Sequence, residues 1–511
     1  MKTFRLHRIG GLVLEKKELT RGSGILLSIS SLPSAYGIGM LGKSACRFVD
    51  LLVDLKQSYW QILPIGPTGF GDSPYQPLSA CAGNHYWIDL DDLIEEGLLT
   101  AEEVRCYSWG TQTSEIDYAT LFDNRYKILW KAFERFDSNA QEFGDFVAKN
   151  EDWLVDYAIY MSMKMDNMNK KWQDWPKDEK NRQPVVLAKY RKTSYNTITF
   201  WMFCQFKFYG QWTKLKEYAN ARGIQLIGDI PFYVGLDSVD TWSHSELFLL
   251  DEEGIPECIA AATPDKFSSE GQIWGSPLYD WERMEEDDYR WWRRRIRISS
   301  ELFDIIRVDH FVGMVKSYTV DYGSDNALNG KWLKGPGRKL TEIFREELGG
   351  KPVIADDYTG AALLPGVRKL MNRTGWMGSR VLMFAFDGDT SNEHLPHNYT
   401  NNHVVTYAAT HDNDTIVGAF RNKTEYELAY LYEYLNIHNK DEIPDALIRA
   451  AYASTADVAM IQMQDILKLG NDARMNQPST VGGNWRWRMD SELLDESRRA
   501  WIRNLAAVYR R

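Results

Sequence analysis

Four aspartates stand at or near the ends of short apolar runs: Asp229 in GDIPF, Asp309 in RVDHF, Asp356 in VIADD and Asp412 in ATHDND. If those runs are parallel strands of one barrel, their carboxyl ends face a single mouth and acids far apart in sequence converge there. Several carboxylates around one pocket suit glycosyl transfer, in which one attacks the anomeric carbon and another protonates the leaving oxygen. Arg307 precedes Asp309 by two residues, so on a strand it points to the same side and would hold that carboxylate ionised and aimed. His310 and His411 each adjoin one of the acids. Two other readings stand beside this one. Strand-end aspartates also cap the helices that follow them, and the same carboxylates could ligate magnesium.

The elements that must position these residues form a recurring pattern. Runs at 24–29, 59–64, 225–229, 304–309, 353–356, 381–386, 404–408 and 458–463 alternate with helical stretches. Eight such units predict an α/β fold, a (β/α)₈ barrel that spans 1–511 as one catalytic domain. A doubly wound open sheet would want a glycine-rich phosphate turn after its first strand, and Ser28 to Ser31 supply none. The long gap between the second and third runs carries helical patterns at 91–107, 118–136 and 140–168. It predicts an inserted, mostly helical subdomain at about 65–200. A second insertion, at about 232–285, contains the Gly/Pro/Ser-rich stretch 262–279 and is expected to carry function rather than stability.

Composition narrows the partners. The 511 residues are 44% hydrophobic and 26% charged, with a formal charge of −11, which argues against a nucleic-acid binder. The one dense basic run, Arg293 to Arg295, follows Trp291 and Trp292 among acidic neighbours and reads as a solvated helix face. Five scattered cysteines (Cys46, Cys81, Cys106, Cys204, Cys258) suit free thiols in a reducing compartment. The amino terminus is too polar for a signal peptide and no run is long enough to span a membrane, so the expected location is cytoplasmic. The nine histidines have no metal-binding spacing, and His394 and His397 read as surface groups. Nineteen Trp exceed what a core of this size needs; aromatic faces stack on sugar rings, although core packing would also use them.

The segments RGSGILLSISSLPSAYGIGMLG, GFGDSPYQPLSACAGNHYWIDL, GDIPFYVGLDSVDTW, TPDKFSSEGQIWGSPLYDW, IIRVDHF, ATHDNDT and RMNQPSTVGGNWRWR resemble, in order, the motifs of bacterial 4-α-glucanotransferases, the amylomaltases. The resemblance runs from about Arg21 to the carboxyl terminus. It implies a (β/α)₈ barrel with inserted subdomains and a retaining double displacement without metal or cofactor. The implied partners are α-1,4-glucans and maltooligosaccharides, with no nucleic acid or membrane, and the implied assembly is a monomer or weak homodimer. Carried onto this chain, Asp309 is the nucleophile, Asp356 stands at the acid/base position, and Asp412 stabilises the distorted sugar. Tyr75, Asp229, Trp274, Arg307, His310, His411 and Asn476 are the expected substrate contacts. The loops 263–277 and 474–488 resemble segments that close over the glucan and exclude water.

The chain also departs from the family pattern. Where the family has an AEDLG-like segment with a Glu acid/base, this sequence reads IADDYTG, with Asp356 in that place. Val312 stands where an Arg is common, Ser276 where Asn precedes Pro277, and Thr263 where a Pro is usual. One methylene fewer retracts the acid by ~1.5 Å, and misplacement by about an ångström costs ~10²-fold in rate. The alternatives to a transferase are therefore a glucan-binding protein with weak or lost catalysis, or an α-glucan hydrolase.

Overall fold

The computed structural model describes residues 19–69, 71–264, 268–357, 364–490 and 494–511. The amino-terminal stretch read above as too polar for a leader lies outside them, as do residues 265–267 of the loop 263–277. Twelve strands are present among the described residues: β1 (Gly22–Leu26), β2 (Tyr59–Gln61), β3 (Gln225–Ile230), β4 (Cys258–Ala262), β5 (Gln272–Pro277), β6 (Ile305–Val308), β7 (Lys316–Asp321), β8 (Lys331–Lys334), β9 (Val353–Ala355), β10 (Gly378–Val381), β11 (Val404–Tyr407) and β12 (Val458–Gln462).

Eight of them form one parallel sheet in the order β10-β11-β12-β1-β2-β3-β6-β9. The two ends of this series meet. Met377, just before β10, donates to the Val353 carbonyl (3.0 Å) and accepts from the Ala355 N–H (2.8 Å), which closes the sheet into a barrel. Burial explains the composition of the strands. Every residue of β1, β2, β6, β9, β11 and β12 is buried, so they read as continuous apolar runs rather than alternating ones. The fold is the expected (β/α)₈ barrel.

The boundaries differ from the sequence reading in instructive places. The first strand is Gly22–Leu26, and residues Ile29–Ser31 form a 3-10 turn. The sixth is Gly378–Val381, not 381–386, and Leu382–Phe384 also form a 3-10 turn. A run such as VLMFAF is apolar because it is buried, and hydrophobicity alone does not say where the ladder stops. Gly378 opens the strand opposite Val404, and a Cβ there would lie 3.1 Å from Asp357 Oδ2, so the position favours glycine.

Between β2 and β3 the chain is mostly helical. The stretch 91–107 is two short helices, Leu90–Glu95 and Ala101–Arg105, because Asp89 caps the first and a Thr100/Glu103 capping box starts the second. The stretch 140–168 is broken at Asn150, which ends helix Gln141–Lys149 and begins helix Glu151–Asp166. Helix Tyr195–Ala221 then leads into β3. A second, antiparallel sheet of order β5-β4-β7-β8 joins strands of the 232–285 region to the segment that follows Asp309.

The basic run is a correction. Arg295 is buried, not solvated: it donates to the Pro231 carbonyl (2.6 Å) and its guanidinium lies 5.0 Å from the Trp292 ring centre. Arg293 pairs with Glu346, Glu347 and Asp288. On helix Arg290–Leu302 the side chains of residues 291, 292 and 295 share the inward face, so three consecutive arginines do not share one environment. Most tryptophans are core residues too, Trp60, Trp201, Trp212, Trp242 and Trp292 almost wholly buried among them. His394 is half-buried and structural: its Nδ1 accepts from the Val381 N–H (3.1 Å) at the end of β10, while His397 is exposed. All five cysteines are free. Among the described residues no helix is long and apolar enough to cross a membrane.

Candidate active site

Parallel strands deliver the carboxylates to one mouth, and Arg307 gathers three of them. In β6 its side chain is only 5% exposed. Nη1 donates to both oxygens of Asp229 in β3 (2.7 and 2.6 Å) and to Asp309 Oδ1 (3.1 Å), just past the end of β6. Nη2 pairs with Asp356 Oδ2 at 2.8 Å. The neighbouring register Asp229↔Arg307↔Ile354 across β3, β6 and β9 sets this meeting. Burial works against the Arg307 charge, but the three carboxylates outweigh it and hold its proton more tightly than usual.

Three carboxylates around one guanidinium leave excess negative charge in a buried place. Asp309 is pushed well above the ordinary carboxylate range by burial, against the pull of Arg307 and with the push of Asp229, Asp356 and Asp412. Asp356 is raised by burial as well, opposed by Arg307 and aided by Asp229 and Asp412. The cluster therefore retains a proton more readily than separate aspartates would. Asp356 Oδ2 faces Arg307 and, at 3.4 Å, the His310 N–H. Its Oδ1 is buried and meets no hydrogen-bond partner among the described residues. A proton on Asp356 belongs on Oδ1, because Oδ2 already faces donors.

The turn after Asp309 is shaped for this arrangement. His310 has φ 47°, a left-handed conformation uncommon outside glycine but tolerated by His. Asp309 N donates to Ile230 O (3.0 Å), Phe311 N to Asp356 O (3.0 Å), and Asp356 N to Val308 O (3.1 Å). The backbones of both acids are thus pinned to the strands beside them. Burial lowers His310 to about 3, so its imidazole is neutral, and Nε2 has no partner among the described residues. Trp274 in β5 stands edge-on to that ring, centroids 4.6 Å apart, and its carbonyl accepts from the Gln76 amide.

The opposite wall comes from the loops after β2, β11 and β12. Tyr75 donates to Asp229 Oδ2 (2.7 Å), lies 2.8 Å from His411 Nε2, and stacks on the His411 ring (5.2 Å, 10°). Asp412 is the most open of the four acids, its side chain 38% exposed. Asn476 donates to its Oδ1 (2.7 Å), Arg474 to its carbonyl (3.0 Å), and His411 Nε2 lies 3.4 Å from its Oδ2. The ten candidate site residues therefore form one connected network of hydrogen bonds, ion pairs and ring contacts at this mouth. Among the described residues no group of three or more His, Cys, Asp or Glu is arranged to hold a metal ion, and the Arg307 guanidinium fills the space among Asp229, Asp309 and Asp356 that a magnesium ion would need.

Comparison with known proteins decides the lineage of this geometry. The family model described as 4-alpha-glucanotransferase matches residues 27–494. A 4-alpha-glucanotransferase of Streptococcus pneumoniae is 43% identical over 495 residues, covering 96% of this chain and 97% of the relative. That of Thermus thermophilus is 39% identical over 505 residues, covering 97% and 100%. Among solved structures, an amylomaltase from Streptococcus agalactiae in complex with acarbose superposes with a TM-score of 0.91 at 40% identity, covering 96% of this chain and 99% of that one. The chain belongs to the 4-alpha-glucanotransferase family.

Two residues that the sequence reading did not single out complete the wall in this family member. Trp485 packs on both Tyr75 (5.7 Å) and His411 (6.1 Å), with φ 64° at its own backbone. Its signal was the NWRWR motif, noted only as part of a closing loop. Asp465, after β12, accepts from the Ile416 N–H (2.7 Å) and so anchors the loop of His411 and Asp412. It had no signal, being one of many acids in a helical stretch. Of the departures from the family pattern, Val312 is buried in the turn after His310 and Ser276 is buried in β5.

Proposed function

We propose that the chain transfers segments of α-1,4-glucans to the 4-hydroxyl of an acceptor glucan or glucose by a retaining double displacement. The observation that carries this reading is the gathering of Asp229, Asp309 and Asp356 on the single guanidinium of Arg307, with Asp412 on the facing wall. Family membership supports it. In the reactive form the proton that the cluster retains is on Asp356. In the first step an oxygen of the Asp309 carboxylate, paired with Arg307, bonds to the anomeric carbon as the C1–O4 bond of the donor breaks. The proton on Asp356 Oδ1 passes to the departing oxygen. In the second step Asp356, now a carboxylate, takes the proton of the acceptor 4-hydroxyl, the new C1–O bond forms, and Asp309 leaves.

The remaining residues bind rather than react in this reading. Asp412, held by Asn476, takes hydroxyls of the distorted sugar, with His411 and His310 as further hydrogen-bond partners. Tyr75 and Trp274 supply apolar faces. The insertions at about 65–200 and 232–285 complete one catalytic unit with the barrel and shelter the mouth from water, which favours a sugar acceptor. We take the enzyme to be cytoplasmic and a monomer or weak homodimer.

Incubation with maltotriose and a size profile of the products tests the reading. Transfer gives glucose together with maltopentaose and longer chains, with little net gain in reducing ends. A rise in reducing ends matching the bonds cut would make the chain a hydrolase. An unchanged maltotriose pool with saturable glucan binding would make it a binding protein.

A further inference from the structure

Helix Glu425–Leu435 reads EYELAYLYEYL, with a Thr424/Glu427 capping box fixing its start. At about 100° per residue, Leu428, Leu431 and Leu435 share one face, and Leu428 and Leu431 are buried. Tyr426, Tyr430 and Tyr434, four residues apart, form a row on another face, turned away from the leucines. The row is not core: Tyr426 is 91% exposed. Tyr430 and Tyr434 lie 6.1 Å apart, ring centre to ring centre. Phe386, from the segment after β10, joins them at 6.3 Å from Tyr430 and 5.6 Å from Tyr434. His397 fixes the end of the row, its Nδ1 3.0 Å from the Tyr434 hydroxyl.

Topology sets this row on the side of the barrel where the strands end. β11 ends beneath Asp412, and helix Ile443–Ala453 is the element that returns the chain to the start of β12. The helix of the tyrosines lies between the two in sequence and packs on Phe386, which follows the carboxyl end of β10. The charged groups around it are mostly acidic and exposed: Glu425, Glu433, Asp387 and Asp389. Such a rim repels anionic ligands and suits a neutral one.

We propose that Tyr426, Tyr430, Tyr434 and Phe386 form a stacking platform for glucose units of a long α-1,4-glucan, outside the cleavage site. The proposal rests on the glucan reading above. Aromatic rings spaced about one helical turn apart, Tyr430 and Tyr434 tilted by 53° to each other, present apolar surface to the C–H faces of sugars, and the tyrosine hydroxyls and neighbouring carboxylates take sugar hydroxyls. A short substrate such as maltotriose fits within the cleavage site and never reaches the row, whereas a polymer does.

The test uses Tyr426→Ala and the double variant Tyr426→Ala/Tyr430→Ala in the full chain; the single change, at a residue 91% exposed, leaves the core untouched. Mobility in native gels with and without glycogen reads binding, and kcat/KM on amylose and on maltotriose reads its use. The expected result is retardation by glycogen that weakens at least about threefold for each ring removed. The amylose-to-maltotriose ratio of kcat/KM should fall in step while the maltotriose value holds. Equal retardation with an unchanged ratio overturns the platform. So does a change in sedimentation of the variants with glycogen mobility unaltered, which would assign the row to a second copy of the chain. If the parent moves no glucose from maltotriose the catalytic reading fails by itself, and the gel still tests the platform.

Discussion

Because Asp356 Oδ2 faces Arg307 at 2.8 Å while Oδ1 stands free of protein partners among the described residues, the departure from Glu has a defined geometry. Its backbone sits in the ordinary ladder between β6 and β9, with Val308 opposite Ala355. From that position its carboxylate pairs with Arg307 rather than standing free in the mouth. Asp356→Glu is therefore expected to raise kcat on maltotriose, by about 10-fold and at most ~10²-fold. The gain should be smaller on an activated glucosyl donor, whose leaving group needs little protonation. A lower kcat on maltotriose would show that the pocket is built around Asp. Asp309→Asn tests the other acid: the variant should fold and bind glucan yet lose transfer, since an amide cannot attack the anomeric carbon. Near-parental transfer would remove Asp309 from the chemistry. Residue types and motif order named ten positions that the structure brings together at one mouth. What was not legible was charge sharing: nothing in one dimension shows that a single guanidinium serves Asp229, Asp309 and Asp356 at once.

At the scale of elements, the loop that bears His411 and Asp412 is held by the segment after β12. Asp465 accepts from Ile416 N (2.7 Å), Asn471 donates to Asp414 (2.6 Å), and Arg474 and Asn476 hold Asp412 itself. Burial pushes Asp465 up to about 7, against the opposing bonds from Ile416 and Gln462. An acid held above its unfolded value of ~3.9 binds its proton more tightly in the fold. The stability this gives is complete below that value and is lost as pH rises through about 7. Asn at this position keeps the acceptor for Ile416 and does not titrate. The stability of Asp465→Asn relative to the parent should thus rise from pH 5 to pH 8, by at most about 1.4 kcal/mol per pH unit, in denaturant melts across that range. A pH-independent difference would contradict the assignment. Trp274 belongs to the same scale, since β5 brings it edge-on to His310 and its carbonyl to Gln76. Trp274→Ala should raise hydrolysis relative to transfer as water enters, and an unchanged ratio would make it a packing residue. The helix break near Thr100 was written in a capping box and that at Asn150 in a side chain that donates to the Phe146 carbonyl, signals that periodicity overlooks, whereas the second sheet pairs segments remote in sequence and left no local signal.

For the molecule as a whole, the strand–helix alternation was enough to read a closed barrel, but not where the barrel closes. The seam lies between β9, three residues long, and β10, joined through Met377. Asp357 extends this joint beyond the backbone. Its Oδ1 accepts from the Ser379 N–H (2.8 Å), its Oδ2 lies 3.5 Å from Arg380 Nη1, and Ser379 Oγ donates to the Ala355 carbonyl (2.9 Å). The carboxylate beside Asp356 is therefore turned into the wall of the barrel, away from the role of second acid that its sequence position suggests. Asp357→Ala leaves the Ser379 N–H and the half-buried Arg380 without it, a loss of about 1–3 kcal/mol. Because a chain of this size is prone to unfold irreversibly, the sharper measure is native-state hydrogen exchange. Amides at 353–357 and 377–381 should exchange faster in the variant, while those of β1, β2 and β12, on the far side of the barrel, hold their protection. Transfer from maltotriose should fall only as far as Asp356, one residue away, loses its position, and Asp357→Asn, which still accepts from Ser379, should restore most of it. If Asp357→Ala instead abolishes transfer from maltotriose with seam exchange unchanged, and activity on an activated donor survives, the proton is carried by Asp357 and the seam assignment is wrong.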